Sequence, residues 1–276
     1  MSELPLYDAH CHWHDARLQT DWDEISQTLD ALPIARVVVN GTHAGDWPAV
    51  ANLAERDPRV IPAFGLHPWR VNDAPVDWLQ QLKHFLNRFP HAAVGEIGLD
   101  RWIKDHDLPR QQEVFQLQLA IAMQENRAVS IHCLQAWGML LDILQHSVLT
   151  QRGFHLHGYG GSPEMIHDLA KLGGYFSFSA YVMHERKAKL RAAMLATPAD
   201  RLLLETDAPD MLPPEEWRDY QLSGEVAFLH APQGEPRQHP ANISASYRAA
   251  AIVRGLPEQT IRQEVADNFE RFFGAR

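Results

Sequence analysis

Short apolar runs alternate with longer amphipathic stretches along the chain. The runs are rich in β-branched and aliphatic residues and are bounded by turn residues, a pattern typical of strands buried in a parallel sheet. Eight strands are predicted in this way, at residues 6–10, 35–40, 60–65, 92–97, 128–132, 153–157, 174–177 and 201–205. Helical periodicity lies between them, most clearly at 108–124 and 137–144, and a last helix is predicted at 261–273. Repeated βα units of this kind predict an α/β fold, the (β/α)8 TIM barrel.

The length of the chain agrees with one such barrel. It has 276 residues, and barrels of this type run to about 250 residues. We therefore expect a single domain over residues 1–276. Two connections are unusually long, one at residues 100–107 and one at about 209–240, after the eighth strand.

The second long connection has the composition of a lid. Loops longer than about 12 to 15 residues are commonly functional, and this one includes the aromatic residues Trp217, Tyr220 and Phe228 and the acidic residues Glu215, Glu216, Asp219 and Glu225. We expect residues 210–238 to cover the active site and to select compact substrates by repelling long polyanions. The alternative is an ordinary surface excursion or a dimer contact.

Composition and charge narrow the classes of function. No window approaches the roughly 18 uncharged apolar residues of a membrane span, and no secretory signal is recognisable, so a cytoplasmic location is expected. The only two cysteines, Cys11 and Cys133, are too few for a disulfide framework and are expected to be reduced. The formal charge of −10 excludes a broad basic surface for duplex DNA, so any nucleic-acid chemistry requires a local site. Bound divalent cations could supply local positive charge.

Histidine is the residue type that points to chemistry, since the chain has sixteen. His10 and His12 end the first predicted strand, and because side chains alternate along a strand, both point to the same face. Two imidazoles on one face form half of a transition-metal site. The motif alone is weak, because roughly one such pair is expected by chance in a chain this rich in histidine. A histidine-rich turn is the competing interpretation.

Four further ligand-type residues strengthen the metal hypothesis. Each ends or directly follows a predicted strand, from the fourth to the sixth and the eighth: Glu96, His132, His157 and Asp207. In a parallel barrel these strand ends meet on one rim, where active sites of this fold are built. Four histidines and two carboxylates exceed what one catalytic ion needs, so two divalent ions sharing a carboxylate are predicted. Glu96 is the candidate bridge.

A two-metal site favours hydrolysis. Two ions can hold the attacking and leaving oxygens of an in-line displacement and lower the pKa of a water molecule. The chain has no GxSxG elbow, P-loop or GxGxxG motif, so covalent-serine, nucleotide-phosphotransfer and dinucleotide chemistry find no support.

Six motifs in order along nearly the whole chain resemble the TatD family of metal-dependent deoxyribonucleases, within the amidohydrolase-like TIM barrels. They are D-A-H-C-H at 8–12, G-L-H-P at 65–68, G-E-I-G-L-D at 95–100, I-H-C at 131–133, H-G-Y-G-G at 157–161 and L-E-T-D-A-P at 204–209. The resemblance implies one ion held by His10, His12, Glu96 and Asp207 and another held by Glu96, His132 and His157.

The resemblance also implies catalytic roles beyond metal binding. Asp207 would act on the nucleophilic water, and His67 would lie near the scissile group without being a ligand. For His67 a polar turn before Pro68 is the alternative. Glu205 shares a strand face with Asp207 and is predicted either to hold a ligand histidine or to belong to an inward structural layer. For His155, one layer deeper than His157, core packing is expected.

The chain departs from the family pattern at positions that face the substrate. Leu134 stands where the family usually has an arginine, which removes a candidate phosphate-binding group. Trp13 and His14 replace the usual leucine and acidic residue, and His239 replaces a glutamate after the long insert. The metal ligands, in contrast, are all present.

These observations predict a divalent-metal-dependent hydrolase, a phosphodiesterase or deoxyribonuclease acting on single-stranded DNA ends. The alternative is a small-molecule amide, ester or lactone hydrolase, which Leu134 and the acidic insert favour. A non-catalytic binding module would be expected to have lost ligands, and none is missing. Histidine-rich ligation suits Zn, Mn or Fe, while the resemblance makes Mg a further candidate. The sequence does not indicate the oligomeric state.

Overall fold

Eight parallel strands form one sheet, in the order of the chain. The structure is a computed structural model that describes residues 4–149, 151–228 and 231–274, and the side chains of residues 226–233 are not described. The strands are β1 (Leu6–Cys11), β2 (Ile34–Asn40), β3 (Val60–Phe64), β4 (Ala93–Asp100), β5 (Val129–Leu134), β6 (Phe154–Leu156), β7 (Gly174–Phe178) and β8 (Leu202–Leu204). All eight predicted strands are confirmed.

Helices follow the strands and cover the outside of the sheet. They are α1 (Trp22–Asp30), α2 (Trp47–Arg56), α3 (Trp78–Arg88), α4 (Leu108–Gln124), α5 (Trp137–Gln145), α6 (Pro163–Lys171), α7 (Ala188–Ala196), α8 (Ile243–Arg254) and α9 (Glu258–Phe273). The helix predicted at 108–124 has the observed bounds, and α9 begins three residues before its predicted start. Because helices cover one face of the sheet and packed side chains the other, β1, β4 and β7 are buried along their whole length.

The residues after β8 close the barrel against β1. The Asp207 N–H donates to the His10 carbonyl at 2.9 Å, and the His12 N–H donates to the Ala208 carbonyl at 2.8 Å. The architecture is therefore the predicted (β/α)8 TIM barrel. All eight strands point their carboxyl ends to one rim, so the residues that end β1, β4, β5, β6 and β8 meet there.

The long connection after β8 contains regular structure that the sequence analysis did not predict. A short 3-10 turn (Glu215–Trp217) precedes an antiparallel hairpin of β9 (Gln221–Phe228) and β10 (Ala231–Gln238). The apolar pattern of this segment is weak, and Pro236 falls within the second strand, where proline is unfavourable. Among the described helices, none combines the length and apolar character needed to cross a membrane.

Candidate metal centre

The six predicted ligands converge at the carboxyl end of the barrel around Glu96. Glu96 lies in β4, where only 3% of its surface is exposed, and its two carboxylate oxygens face different sets of side chains. The residues around it, contributed by β1, β5 and the segments after β6 and β8, are His10, His12, His132, His157 and Asp207. The structure therefore brings every predicted ligand into one buried cluster.

The first set surrounds Glu96 Oε2. His10 Nε2 and His12 Nε2 lie 3.3 and 3.4 Å from this oxygen and 3.3 Å from each other. Asp207 Oδ1 lies 3.6 Å from His10 Nε2 and 3.5 Å from His12 Nε2. Ligand bonds of about 2.1 Å arranged as a tetrahedron place ligand atoms about 3.4 Å apart. The spacing of these donor atoms therefore fits a single transition-metal ion.

The second set surrounds Glu96 Oε1. His157 Nε2 and His132 Nδ1 lie 2.8 and 2.9 Å from this oxygen, and the two nitrogens lie 3.3 Å apart. His67 Nε2 also reaches Oε1, at 3.2 Å. The spacing of this set is slightly tighter than that of the first, but the donor types, imidazole and carboxylate, are the same. One carboxylate thus separates two groups of nitrogen donors.

Hydrogen bonds orient two of the histidines. His12 Nδ1 lies 2.7 Å from the Asn40 carbonyl, and His132 Nε2 lies 2.7 Å from Asp100 Oδ2. A carbonyl or a carboxylate can only accept, so each of these ring nitrogens carries the proton. When each ring is neutral, its other nitrogen, which faces Glu96, therefore has its lone pair available. This arrangement is typical of metal-binding histidines.

A buried layer of polar side chains lies beneath the first set. His10 Nδ1 and Ser130 Oγ are 3.0 Å apart, and His155 joins Ser130 to Ser177 through contacts of 3.3 and 2.6 Å. Glu205 accepts hydrogen bonds from Ser177 Oγ at 2.5 Å and from the Gly158 N–H at 2.6 Å. The layer supports His10, and it also borders the candidate ligands, because His10, His157 and Glu205 each have a donor atom within 4.8 Å of the others.

His67 lies beside the second set, but its hydrogen bonds differ from those of the candidate ligands. Its Nδ1 accepts a hydrogen bond from the Trp69 N–H at 3.1 Å, so that nitrogen is unprotonated. Burial lowers the pKa of His67, which favours the neutral ring with its proton on Nε2. The Nε2 atom that faces Glu96 is therefore a donor. A protonated nitrogen cannot bind a metal ion, so this geometry agrees with a residue that is not a ligand.

Asp207 reaches the cluster through an unusual backbone conformation. Its φ is 56°, in the left-handed region, where a non-glycine residue is strained by on the order of 1 kcal/mol. The preceding Thr206 is fixed by Asp8, which accepts from the Thr206 N–H at 3.1 Å and from its hydroxyl at 2.6 Å. The Gln238 side-chain amide donates to the Thr206 carbonyl. These bonds hold the strained turn and direct the carboxylate toward His10 and His12.

The electrostatics favour a charged Glu96. Burial opposes ionisation, but His157, His67 and His10 together hold the pKa of Glu96 well below its usual range. For His132, burial would lower the pKa, whereas hydrogen bonds to Asp100 and Glu96 raise it to about 9. The chain without an ion therefore holds a proton on this ring, which a cation must displace to bind.

Several predicted substrate-side residues lie outside the cluster. His14 Nε2 lies 3.4 Å from Asp46 Oδ2, and the ring of His239 packs against Tyr220 at 5.4 Å. The ring of Trp217 packs near the Arg248 guanidinium of α8, 5.9 Å from its carbon. The Phe228 side chain lies outside the described residues. The prediction that the insert covers the rim stays a prediction.

The sequence analysis missed the residues that position the ligands. Asp100, Asn40, Ser130 and Asp8 each bond to a ligand histidine or to the turn before Asp207. A signal was present for Asp100, since it is four residues after Glu96 in the same strand and so shares its face. Asn40 acts through its backbone carbonyl, for which no side-chain pattern exists.

Known proteins resemble the chain over almost its full length. A family model described as TatD related DNase matches residues 7–274. The metal-dependent hydrolase YcfH of Escherichia coli K12 is 28% identical over 271 residues, covering 97% of this chain and 95% of that protein. The 3'-5' ssDNA/RNA exonuclease TatD of Dickeya dadantii is 28% identical over 274 residues, covering 97% of both.

A solved structure agrees with both the fold and the family. The crystal structure of YjjV, a TatD homologue from Escherichia coli K12, superposes with a TM-score of 0.86 at 27% sequence identity, covering 98% of each chain. The motif order, the barrel and these similarities agree with one another. The chain belongs to the TatD related DNase family and is a metal-dependent hydrolase.

Proposed function

We propose that this protein uses two divalent ions to hydrolyse phosphodiester bonds at the ends of single-stranded DNA. The proposal rests on one observation: the two carboxylate oxygens of Glu96 face different pairs of histidines. Oε2 faces His10 and His12, and Oε1 faces His132 and His157. Asp207 would complete the first ligand set. Imidazole and carboxylate donors suit Zn, Mn or Fe, and Mg is a candidate from the family.

The ions, Asp207 and Glu96 have different roles in the proposed reaction. When bound, the two ions lower the pKa of water and offset negative charge on the phosphoryl oxygens. Asp207, whose Oδ1 lies at the edge of the first set, accepts the proton of the attacking water. The water oxygen forms a bond to phosphorus as the bond to the leaving sugar oxygen breaks. Glu96 holds the two halves of the site at a constant spacing.

His67 is proposed to act as a hydrogen-bond donor to the substrate. Its Nδ1 is occupied by the Trp69 N–H, and its Nε2–H points into the cluster. A neutral donor at that place stabilises charge that develops on a phosphoryl oxygen or on the leaving oxygen. This role explains a buried histidine that contacts Glu96 but has the wrong protonation for a ligand.

The names of relatives and the charge of the chain support the proposed substrate class. Relatives that span nearly the whole chain include one named for single-stranded DNA and RNA exonuclease activity. The formal charge of −10 disfavours extended contact with a duplex, whereas a strand end needs only a few contacts near the ions. Leu134, which leaves β5 without an arginine, favours the second candidate, a small-molecule ester, amide or lactone hydrolase.

A substrate panel tests the proposal. The protein loaded with manganese, magnesium or zinc is offered single-stranded DNA labelled at the 3′ or 5′ end, bis-p-nitrophenyl phosphate, and a set of lactones and amides. We expect stepwise shortening of the DNA and release of mononucleotides. His67→Asn should reduce kcat while leaving bound metal unchanged. Turnover of the lactones or amides without any phosphodiester cleavage would select the second candidate.

A further inference from the structure

A cavity of about 280 Å³ lies between the connections that follow β2 and β3. Both connections begin at the carboxyl rim of the barrel, where the candidate metal centre also lies. The first connection contributes His43 and Gly45 to the cavity wall, and the second contributes Arg70, Asp73 and Pro75. None of these residues belongs to the proposed ligand sets. The cavity is therefore a separate feature of the same rim.

The cavity and the metal centre are connected through His67. The His67 N–H donates to the Thr42 carbonyl at 2.8 Å, which joins the two connections, and His67 Nε2 lies 3.2 Å from Glu96 Oε1. The Arg70 N–H donates to the His67 carbonyl at 2.9 Å and so closes the 3-10 turn Pro68–Arg70. Three residues span about 6 Å along a turn of this type. The backbone of Arg70 is therefore held close to the histidine that contacts the candidate bridge.

Arg70 is a half-buried cation without a counter-ion in the part of the chain that the structure describes. No carboxylate there forms an ion pair with its guanidinium, and Asp73, the acidic residue of the cavity wall, is exposed to solvent. In contrast, the half-buried Arg59 pairs with Asp30 and Asp57. A guanidinium is permanently charged, and its planar donors match the oxygens of a phosphate. Arg70 is thus available to bind an anion in the cavity.

Hydrogen bonds fix the wall that the β2 connection provides. His43 Nδ1 lies 2.9 Å from Asp46 Oδ2, and the same oxygen accepts from the Thr42 hydroxyl at 2.6 Å. A carboxylate can only accept, so His43 Nδ1 carries the proton of this bond. A β-carbon at Gly45 would lie only 3.2 Å from His43 Nε2, so the glycine leaves room for the ring. The cavity therefore has a defined shape on this side.

Resting on the proposed function, we infer that this cavity binds the substrate phosphate next to the scissile one, and that Arg70 pairs with it. The ions hold the scissile phosphate, so a contact to its neighbour comes from side chains outside the ligand sets. β5 offers no arginine for this contact, since it ends in Leu134. A substrate with a single phosphate, such as bis-p-nitrophenyl phosphate, leaves the cavity empty. Arg70 therefore distinguishes the end of a DNA single strand from a small phosphodiester.

A neutral linkage in the substrate tests the pairing directly. Labelled single-stranded DNA with nuclease-resistant phosphorothioate linkages is compared with strands in which one linkage, from the first to the fourth from either end, is an uncharged methylphosphonate. For the metal-loaded native protein we expect one linkage beyond the first to raise Kd about tenfold, equivalent to about 1.4 kcal/mol. In Arg70→Gln the charged strand should bind about tenfold more weakly, and neutralising that linkage should change Kd by less than about twofold.

The control for Arg70→Gln is Arg56→Gln, which removes the same charge from an exposed arginine at the end of α2, on the opposite side of the barrel from the rim. Its Kd for every strand should equal that of the native protein. Arg70→Gln should also reduce the slope of log Kd against log salt by about 0.7, the value for one contact to a single-strand phosphate. If Arg70→Gln still discriminates against the neutral linkage as the native protein does, the pairing is overturned.

Two variants of the cavity wall test the place of the contact. Ala74→Leu fills the cavity without a change of charge and should weaken binding of the charged strand, while metal analysis checks that both ions are retained. Asp73→Asn removes a negative charge from the wall and should strengthen binding about twofold, the size expected for an exposed charge. If Ala74→Leu binds the strand as the native protein does, the phosphate lies outside the cavity and the assignment is wrong.

Binding separates this inference from the proposed function, because Kd requires no cleavage. If the native protein cleaves no DNA but discriminates against one neutral linkage, and Arg70→Gln does not, the proposed function fails and the phosphate site stands. If the native Kd is insensitive to every neutral linkage beyond the first, the phosphate site is overturned whatever the activity. Where DNA is cleaved, Arg70→Gln should raise the ratio of KM for DNA to KM for bis-p-nitrophenyl phosphate about tenfold.

Discussion

Asp100 and His132 lie on neighbouring strands and are joined by a contact of 2.7 Å between Oδ2 of the aspartate and Nε2 of the histidine. The same aspartate shares a strand with Glu96, so one strand supplies both the candidate bridge and the group that orients another ligand. Hydrogen bonding to Trp69 and to His132 holds the pKa of Asp100 at about 2, against the effect of burial, so it is ionised at neutral pH.

Exchanging Asp100 for asparagine tests this relationship. If the asparagine oxygen keeps the bonds to the Trp102 and Ile103 backbone, its amide nitrogen faces two donors, Trp69 Nε1–H and His132 Nε2–H. His132 can relieve this conflict only by moving its proton to Nδ1, the atom that faces Glu96. We expect metal affinity at the second set to fall about 10- to 100-fold. Elemental analysis after dialysis against low metal measures the loss.

Asp105→Asn is the matched control for Asp100→Asn, since Asp105 is an exposed aspartate in the following turn. Its metal content should equal that of the native protein. If Asp100→Asn also keeps two ions per chain under these conditions, the aspartate has no part in orienting His132. Its main role would then be to accept the hydrogen bonds from the Trp102 and Ile103 backbone.

Glu96→Ala should abolish turnover and reduce the bound metal. The change removes a carboxylate that faces both sets of donors and leaves two cations without that shared counter-charge. We expect activity to drop by more than about 100-fold, the upper end of what loss of an indirect partner costs. Activity on bis-p-nitrophenyl phosphate and metal content are measured together, with the exposed Glu113→Ala as the control. Survival of both properties would remove Glu96 as the bridge.

His12→Ala should harm one metal set while His14→Ala leaves both intact. His12 Nε2 lies within 3.5 Å of Glu96 and Asp207, whereas His14 Nε2 points to Asp46, outside the cluster. The two variants remove the same side chain two residues apart, so each controls for the other. Thermal unfolding with and without added manganese provides a second measurement, because a bound ion stabilises the folded state by mass action. Equal loss of metal in both variants would show that the wrong pair was chosen.

The sequence predicted the strands and helices of the barrel, which depend on local patterns of hydrophobic residues. It missed the contacts that depend on how the strands pair with one another. Most positions in the strands are buried, so the strands appear as apolar runs, and the proposed ligands lie near or just beyond the carboxyl ends of such runs. The contact of Asp100 with His132 depends on the register of β4 against β5, in which Gly98 lies beside His132 and Asp100 beside Leu134. Neither residue alone predicts that register.

The hairpin of β9 and β10 was missed for a related reason. Polar and apolar residues alternate only weakly along the hairpin, and several hydrogen bonds at its base join it to residues that are distant in sequence. The Arg237 guanidinium donates to the Arg17 carbonyl at 2.5 Å, to Asp21 at 2.6 Å and to the Ser223 carbonyl at 2.6 Å. These partners lie up to 220 residues away, and no pattern of hydrophobic positions indicates them.

The last prediction concerns the insert between Asp207 and α8 as a determinant of substrate choice. The two ends of the insert are bonded close to the turn that carries Asp207. Arg17 pairs with Asp210 at 2.7 Å, and the Gln238 N–H donates to the Pro209 carbonyl at 2.9 Å. Replacing all of residues 210–238 would remove these bonds and disturb the turn that carries Asp207. The replacement should therefore be limited to residues 225–235, with a short Gly-Ser connection that leaves Ser223, Arg237 and Gln238 in place.

We expect this shortened protein to keep its fold and both ions, because the bonds at the hairpin base remain. Loss of Glu225 and Glu235 removes negative charge that repels a polyanion, so kcat/KM should rise for oligonucleotides relative to bis-p-nitrophenyl phosphate and small esters. The ratio of the two values is the measurement, and a variant with Glu225→Gln and Glu235→Gln in the intact hairpin separates charge from shape. An unchanged ranking of substrates in the shortened protein would mean that the hairpin takes no part in selection, and Leu134 would then be the better explanation of any preference.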